Sequence, residues 1–301
     1  MPSSRKIGRL CVSVNSVFCF YLVTRAMGIK FCKPSSIWAK CREWASCHLV
    51  ELGHIFFPPS CAACGEDISL TSEAVKTRPD YKVPLCEACV LTFTDLRPRC
   101  DRCGLPKYSG SICNFCQKIM DQLDVTEILW QQIFVLGSYE DCLRTAVIAG
   151  KRPSGEALVE ALSKLLLNQR PSIQELKVDA VIPVPMHWRK RWVRGTNSAN
   201  IMAKQIASSL KVPYRCSIRC KRLKRPQKLL SAKMRATNMA DKFYVRGNQL
   251  TGKRVLVVDD VATTGATLSA ITHCLLEIGA TVVYAAVLAR TDDVTNHAGK
   301  R

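Results

Sequence analysis

Val255-Leu-Val-Val-Asp-Asp-Val-Ala-Thr-Thr-Gly-Ala-Thr267 is the stretch on which the reading of this chain turns. Four apolar residues, Val255 to Val258, make the short run expected of a parallel strand buried on both faces. Two carboxylates follow, Asp259 and Asp260, and then a small, hydroxyl-rich loop from Ala262 to Thr267. Leu268, Ile271, Leu275 and Ile278 repeat at helical spacing beyond it. Strand, tight loop and helix N-terminus together make an anion site, because free backbone N–H groups and the helix dipole face one point. Gly265 lets a phosphate approach the backbone, and the threonine hydroxyls add donors. The aspartates do not serve that phosphate, since like charges repel. They suit a vicinal diol, whose hydroxyls donate to carboxylates, so the arrangement fits a ribose 5-phosphate. The plainer alternative is a strand followed by a capped helix. An Asp pair followed by Thr-Thr-Gly-x-Thr exceeds what capping requires.

Working outward, the 301 residues suffice for one sizeable core and a smaller module. A hydrophobic content of 48% excludes a disordered chain. No apolar run is long enough to span a membrane; the longest, Leu10 to Val23, is short and interrupted by Ser13, Asn15 and Ser16. The net charge of +20 is unevenly spread: no acidic residue lies between Asp179 and Asp241, where 15 Lys and Arg fall. Such a stretch attracts polyanions, whether pyrophosphate, nucleotides or nucleic acid, though it also fits a solvated basic surface.

The 17 cysteines are not a disulfide framework. Eight form Cys-x-x-Cys pairs, Cys61/Cys64, Cys86/Cys89, Cys100/Cys103 and Cys113/Cys116. Two such knuckles complete one tetrahedral zinc site, so four imply two structural sites. Sequential pairing is simplest, and spacing leaves an interleaved pairing open. Gly65 and Gly104 each follow a second cysteine, where positive φ closes a knuckle. A module with so little core draws its folding energy from metal. Thiolates of this kind point to a reducing compartment.

The domain reading is an N-terminal extension at 1–56, a double zinc ribbon at 57–120, a linker at 121–135, an α/β domain at 136–291 and a tail at 292–301. The extension carries eight Lys and Arg before its first acidic residue, Glu43. It is similar to an organelle transit peptide, of plastid or mitochondrion. A secretory signal, a disordered tail and an amphipathic helix are the competing readings; without a transit peptide the chain is expected in the cytoplasm. In the α/β part, strands are expected at 134–139, 178–184, 255–258 and 281–288. Helices are expected at 141–149, 155–168, 197–210 and after Gly265. This alternation predicts a parallel sheet flanked by helices. The stretch 219–238 shows no period and reads as a mobile basic loop. His273 falls in a helical pattern and reads as packing.

The stretch from Asp259 to Thr267 resembles the phosphoribosyl-pyrophosphate (PRPP) motif of type I phosphoribosyltransferases. Other motifs extend the likeness: Cys-x-x-Cys-Gly-x-Pro at 100–106, Tyr139, Arg144 and Gly150-Lys151, Pro-Val-Pro at 183–185, and Arg194-Gly195-x-Asn197. Pro226-Gln227, Leu230-Ser231 and Arg235-x-x-Asn238 follow. In this order they resemble the ComF family of competence-associated, phosphoribosyltransferase-like proteins, from about Phe57 to Arg290. Departures are Thr196, where an aromatic is usual, Ser198, where Gln is, and Ala262, where a bulkier residue is.

The resemblance implies a type I phosphoribosyltransferase-like α/β domain behind a double zinc ribbon. It implies that Asp259 and Asp260 bind the ribose hydroxyls of PRPP and that Ala262, Thr263, Thr264, Gly265, Ala266 and Thr267 bind its 5-phosphate. Lys151, Arg189 and Arg194 are the candidates for the pyrophosphate, with Arg235 beside them; Asp259, Asp260, Lys151 and Arg194 are the candidate catalytic residues. Mg²⁺ would accompany PRPP. The implied reaction displaces pyrophosphate at the anomeric carbon and transfers the phosphoribosyl group to an acceptor the sequence does not name. The competing reading is a protein that binds single-stranded DNA or another nucleic acid and keeps the fold as a ligand sensor or scaffold. Four knuckles predict about two zinc ions per purified chain by metal analysis, and a ratio near one would sink the two-site reading.

Overall fold

The structure is a computed structural model. It describes residues 60–68, 84–107, 113–186, 196–220 and 242–292, all within one compact unit that begins at Pro58. The extension at 1–56, Arg189, Arg194, Arg235 and most of the basic loop lie outside the described residues.

Four parallel strands form the sheet. They are β1 (Ile133–Ser138), β2 (Ala180–Pro183), β5 (Arg254–Ala262) and β6 (Val282–Arg290), ordered β1-β6-β5-β2. All six residues of β1 and all four of β2 are buried, as the continuous apolar runs demand of strands covered on both faces. Side-chain alternation divides the core in two. Phe134, Leu136, Val181, Leu256, Val258 and Ala286 face one cluster, with helices α3 (Asp141–Ala149), α4 (Glu156–Gln169) and α6 (Ser198–Leu210). Ile133, Val135, Ala180, Ile182, Val255, Val257 and Ala285 face the other, with α7 (Ala266–Glu277) and α2 (Asn114–Leu123). On α7 the predicted stripe Leu268, Ile271 and Leu275 is buried, while Ile278 is partly so. Helices α1 (Glu87–Phe93) and α5 (Ser172–Glu175) complete the described helices. None of these helices is long and apolar enough to cross a membrane.

Three expectations are corrected. The segment 121–135 does not run as a linker. Helix α2 continues to Leu123, Ile128 and Trp130 are buried in the second cluster, and β1 opens at Ile133. Apolar side chains spaced too irregularly to show a period still find the sheet. The stretch beginning at 219 is not wholly loop. Ile218–Cys220 (β3) pairs antiparallel with Phe243–Val245 (β4), which brings the two ends of the basic stretch together. Ile218 and Phe243 are buried, so packing makes a ribbon where the pattern was too short to announce one. Strand β5 does not stop at Val258: it continues through both aspartates to Ala262, because β6 supplies a ladder partner as far as Arg290.

The cysteine-rich segments pack into the sheet domain. Cys61, Leu85 and Phe93 join the first cluster; Cys100, Cys103 and Leu105 join the second. A charged cluster ties the segment between the second and third knuckles to the C-terminal ends of β1 and β6. Arg97 donates to Asp95 through its backbone N–H and Nε, both at 3.0 Å, and Arg99 Nη2 donates to Asp95 Oδ2. Arg99 also donates to Ser138 Oγ at 2.6 Å, and Ser138 Oγ donates to Asp292. Burial works against the Asp95 carboxylate, yet the hydrogen bonds from Arg97 and Arg99 hold its pKa well below the ordinary range. Its ionised form therefore contributes stability that is fully present above the unfolded value near 4 and is lost as pH falls toward the depressed native value. Asp95→Ala leaves the nearly buried Arg99 with Asp292 as its remaining ion-pair partner. It should destabilise the fold by about 3 kcal/mol at pH 7. In urea titrations the gap to the parent chain should narrow below about pH 4; a gap that does not change with pH would contradict the assignment.

Candidate functional site

The site lies at the C-terminal edge of the sheet, where parallel α/β sheets form their clefts. Asp259 and Asp260 sit within β5, followed by Thr263, Thr264 and Gly265. Gly265 has φ +84°, the left-handed region that turns the chain sharply into α7. The N-cap residue of α7 is Gly265, so no N-cap side chain bonds its first turn. The Ala266 amide donates to Thr264 Oγ1 at 3.3 Å. The rest of the first turn offers its N–H groups toward the loop, the arrangement that receives a phosphate.

Ala262 belongs to the strand and not to the loop, a correction of its expected place. Its side chain is buried, and its carbonyl accepts from the Thr291 amide and from Arg290 Nη1, each at 3.0 Å. Two carboxylates from adjacent residues of one strand are held close. The Asp260 amide donates to Asp259 Oδ1 at 2.9 Å. Desolvation, and then the Asp260 charge, push the Asp259 pKa well above the carboxylate range.

Lys151 reaches this pair from another unit. It follows α3, and its Nζ lies 3.2 Å from Asp260 Oδ2, with both side chains mostly covered. The structure thus brings Lys151, Asp259, Asp260 and Thr263–Thr267 to one edge. Residues the motif reading treated as departures hold Lys151 in place. Thr196 Oγ1 donates to the Lys151 carbonyl at 3.4 Å, and Ser198 Oγ donates to the Gly150 carbonyl at 3.3 Å. Asn197 Nδ2 donates to the Val184 carbonyl at 3.4 Å. Small hydroxyl side chains at both positions were the available sequence signal. Tyr139 packs against the first cluster, Arg144 is exposed, and His273 is not core packing: its Nδ1 lies 3.4 Å from Glu277 Oε2 on an exposed face.

The eight cysteines form two groups of four, Cys61/Cys64/Cys86/Cys89 and Cys100/Cys103/Cys113/Cys116, so the pairing is sequential. Within each group the ligand atoms all lie within 4.8 Å of one another. Cys64 and Cys86 sulfurs are 3.6 Å apart, Cys100 and Cys116 3.6 Å, and Cys103 and Cys113 3.5 Å. A disulfide would place them about 2 Å apart. Four thiolates each about 2.3 Å from a central zinc lie about 3.8 Å apart, so the sulfur cages fit that ion. Gly65 and Gly104 take φ of +80° and +75°, as knuckle closure requires.

A family model described as "Phosphoribosyl transferase domain" matches residues 196–299. Competence protein F of Haemophilus influenzae is 31% identical over 215 residues, covering 68% of this chain and 90% of that protein. The DNA utilization protein YhgH of Escherichia coli O157:H7 is 28% identical, covering 69% and 90%. Competence protein ComFC of Bacillus subtilis is 24% identical, covering 67% and 81%. Among solved structures, adenine phosphoribosyltransferase from Saccharomyces cerevisiae aligns at 18% identity over 50% of this chain and 77% of that one, with a TM-score of 0.32. The likeness to Competence protein F spans nearly the whole of that protein. The chain belongs to the ComF family, and its α/β part is a phosphoribosyltransferase domain.

Proposed function

We propose that the chain binds PRPP at the end of β5 and transfers its phosphoribosyl group to an acceptor with release of pyrophosphate. The carrying observation is the juxtaposition of Asp259, Asp260 and the Lys151 ammonium beside the N-terminus of α7, which opens after Gly265. Asp259 and Asp260 accept hydrogen bonds from the ribose hydroxyls. Thr263, Thr264, Gly265, Ala266 and Thr267 hold the 5-phosphate with amides and hydroxyls. Lys151 exchanges Asp260 for the pyrophosphate, and Arg189, Arg194 and Arg235 are the further cations assigned to it by the family resemblance. The C1–oxygen bond breaks, pyrophosphate leaves with the electron pair, and the acceptor forms the new bond at C1. The transition state is oxocarbenium-like, and cations on the leaving group stabilise it. The carboxylates are hard oxygen donors of the kind Mg²⁺ takes alongside substrate phosphates, and Asp259 and Asp260 would hold that ion, which would supply charge neutralisation.

Calorimetric titration with PRPP and Mg²⁺ tests this reading. Binding should be lost in the double variant Asp259→Ala, Asp260→Ala, and weakened about tenfold or more in Lys151→Met, the loss of one charged hydrogen bond. PRPP binding that survives the double variant would overturn it. The second reading, nucleic-acid binding, draws on the acid-free stretch with its 15 cations and on relatives named for DNA utilization and competence. Salt-sensitive binding of single-stranded DNA, unchanged in the double variant, favours it.

A site of this kind carries a cost in stability. Because the native pKa of Asp259 is raised, ionising it disfavours the fold, and stability falls as pH rises from the unfolded value through the native one. Asp259→Asn should therefore raise the melting temperature of the ligand-free protein at pH 7. The gain should vanish below about pH 4, where the carboxyl is protonated in both states. A variant no more stable than the parent at pH 7 would contradict it.

A further inference from the structure

The phosphate loop is braced from behind by the third cysteine knuckle, Cys100/Cys103. Four consecutive carbonyls of that knuckle accept hydrogen bonds, three of them from the sheet domain. Asp101 accepts from the Ile133 amide at 2.8 Å, Arg102 from Trp130 Nε1 at 2.6 Å, Cys103 from Arg290 Nε at 3.0 Å and Gly104 from Arg99 Nη1 at 2.8 Å. Two of these donors continue onto the loop. Arg290 turns its Nη1 to the Ala262 carbonyl at 3.0 Å, at the start of the loop. The Trp130 ring closes under Gly265, at its end: a Cβ placed on Gly265 would stand 3.1 Å from the ring. Both side chains are 1% exposed. Burial lowers the Arg290 pKa to about 10, so the guanidinium remains charged at neutral pH.

Such a brace has one shape only while the knuckle has one shape. The Cys100/Cys103/Cys113/Cys116 cage fits zinc, and without metal four thiols packed this closely have no shared partner to hold them. The first cage, at Cys61/Cys64/Cys86/Cys89, packs on the opposite face of the sheet, and none of its described hydrogen bonds reaches the loop. The geometry points to Trp130 and Arg290 as positioning residues that link metal loading of the second cage to ligand binding at the phosphate loop. Resting on the PRPP reading above, this makes the two binding events mutually reinforcing, since coupling between sites is reciprocal.

The test uses the full zinc-loaded chain, with Trp130→Phe and Arg290→Lys. Phe keeps an aromatic ring and drops the N–H; Lys keeps the charge and loses the two-armed reach. Each should weaken PRPP–Mg²⁺ binding about fivefold or more in calorimetry. In the parent chain PRPP should slow release of one of the two zinc ions to a chromophoric chelator and leave the other unchanged. That protection should shrink in both variants, an outcome that a general loss of packing does not produce. If the parent binds PRPP, the variants bind it equally well and PRPP protects neither zinc, the proposal is wrong. If the parent does not bind PRPP, the functional reading falls, and the brace is judged alone by hydrogen exchange in the parent. Stripping zinc should then speed exchange at residues 262–268 while β2 and α6 stay protected; no change there overturns it. The same exchange measurement decides if the variants do not fold.

Discussion

The ladder between β5 and β6 is the interaction on which the rest depends. It runs in parallel register from Arg254 opposite Val282 to Ala262 opposite Arg290. Its lower half is apolar and buried on both faces, which anchors the strand in the core. Its upper half carries Asp259 and Asp260, whose burial and proximity raise the free energy of the charged pair. Continuous backbone hydrogen bonding and the buried residues beneath supply what keeps them there. The strand then releases the chain through three residues into α7, and the helix start inherits its position from the same ladder.

Charge is handled in two opposite ways within a short distance at this edge. Around Asp95, Arg99, Ser138 and Asp292 the charges are paired and hydrogen-bonded, and the cluster joins the cysteine-rich segment to the ends of β1 and β6. Around Asp259 and Asp260, among the described residues, the Lys151 ammonium is the cation that forms an ion pair, and it faces two carboxylates. A structural cluster gains from completeness. A binding site gains from groups whose best partner is still to arrive, at the expense of the ligand-free fold.

The cysteine-rich part is built into the α/β domain. Its two cages lie against opposite faces of the sheet, and the third knuckle gives three of its carbonyls to donors from the sheet domain. The segment 121–135 shows why this was hard to see in the chain. Ile128, Trp130 and Ile133 are apolar but follow neither helical nor strand spacing, because they pack one by one against surfaces made by distant residues.

Much of the fold was legible in order and type. The strand at 255–258, the helix after Gly265 and the cysteine pairs each rest on a local rule: continuous apolar residues for a doubly covered strand, a helical stripe, and thiolate spacing that one ion can satisfy. The sequence by itself determined these, together with the residue types that face a phosphate and a diol. Tertiary structure alone decided which distant groups share the site. Lys151 comes to Asp260 across more than a hundred residues of chain, Thr196 and Ser198 hold its turn, and Trp130 and Arg290 stand behind the loop. The reason is physical: local patterns encode backbone conformation and burial, whereas the meeting of side chains depends on how whole elements pack, which no short window of residues contains.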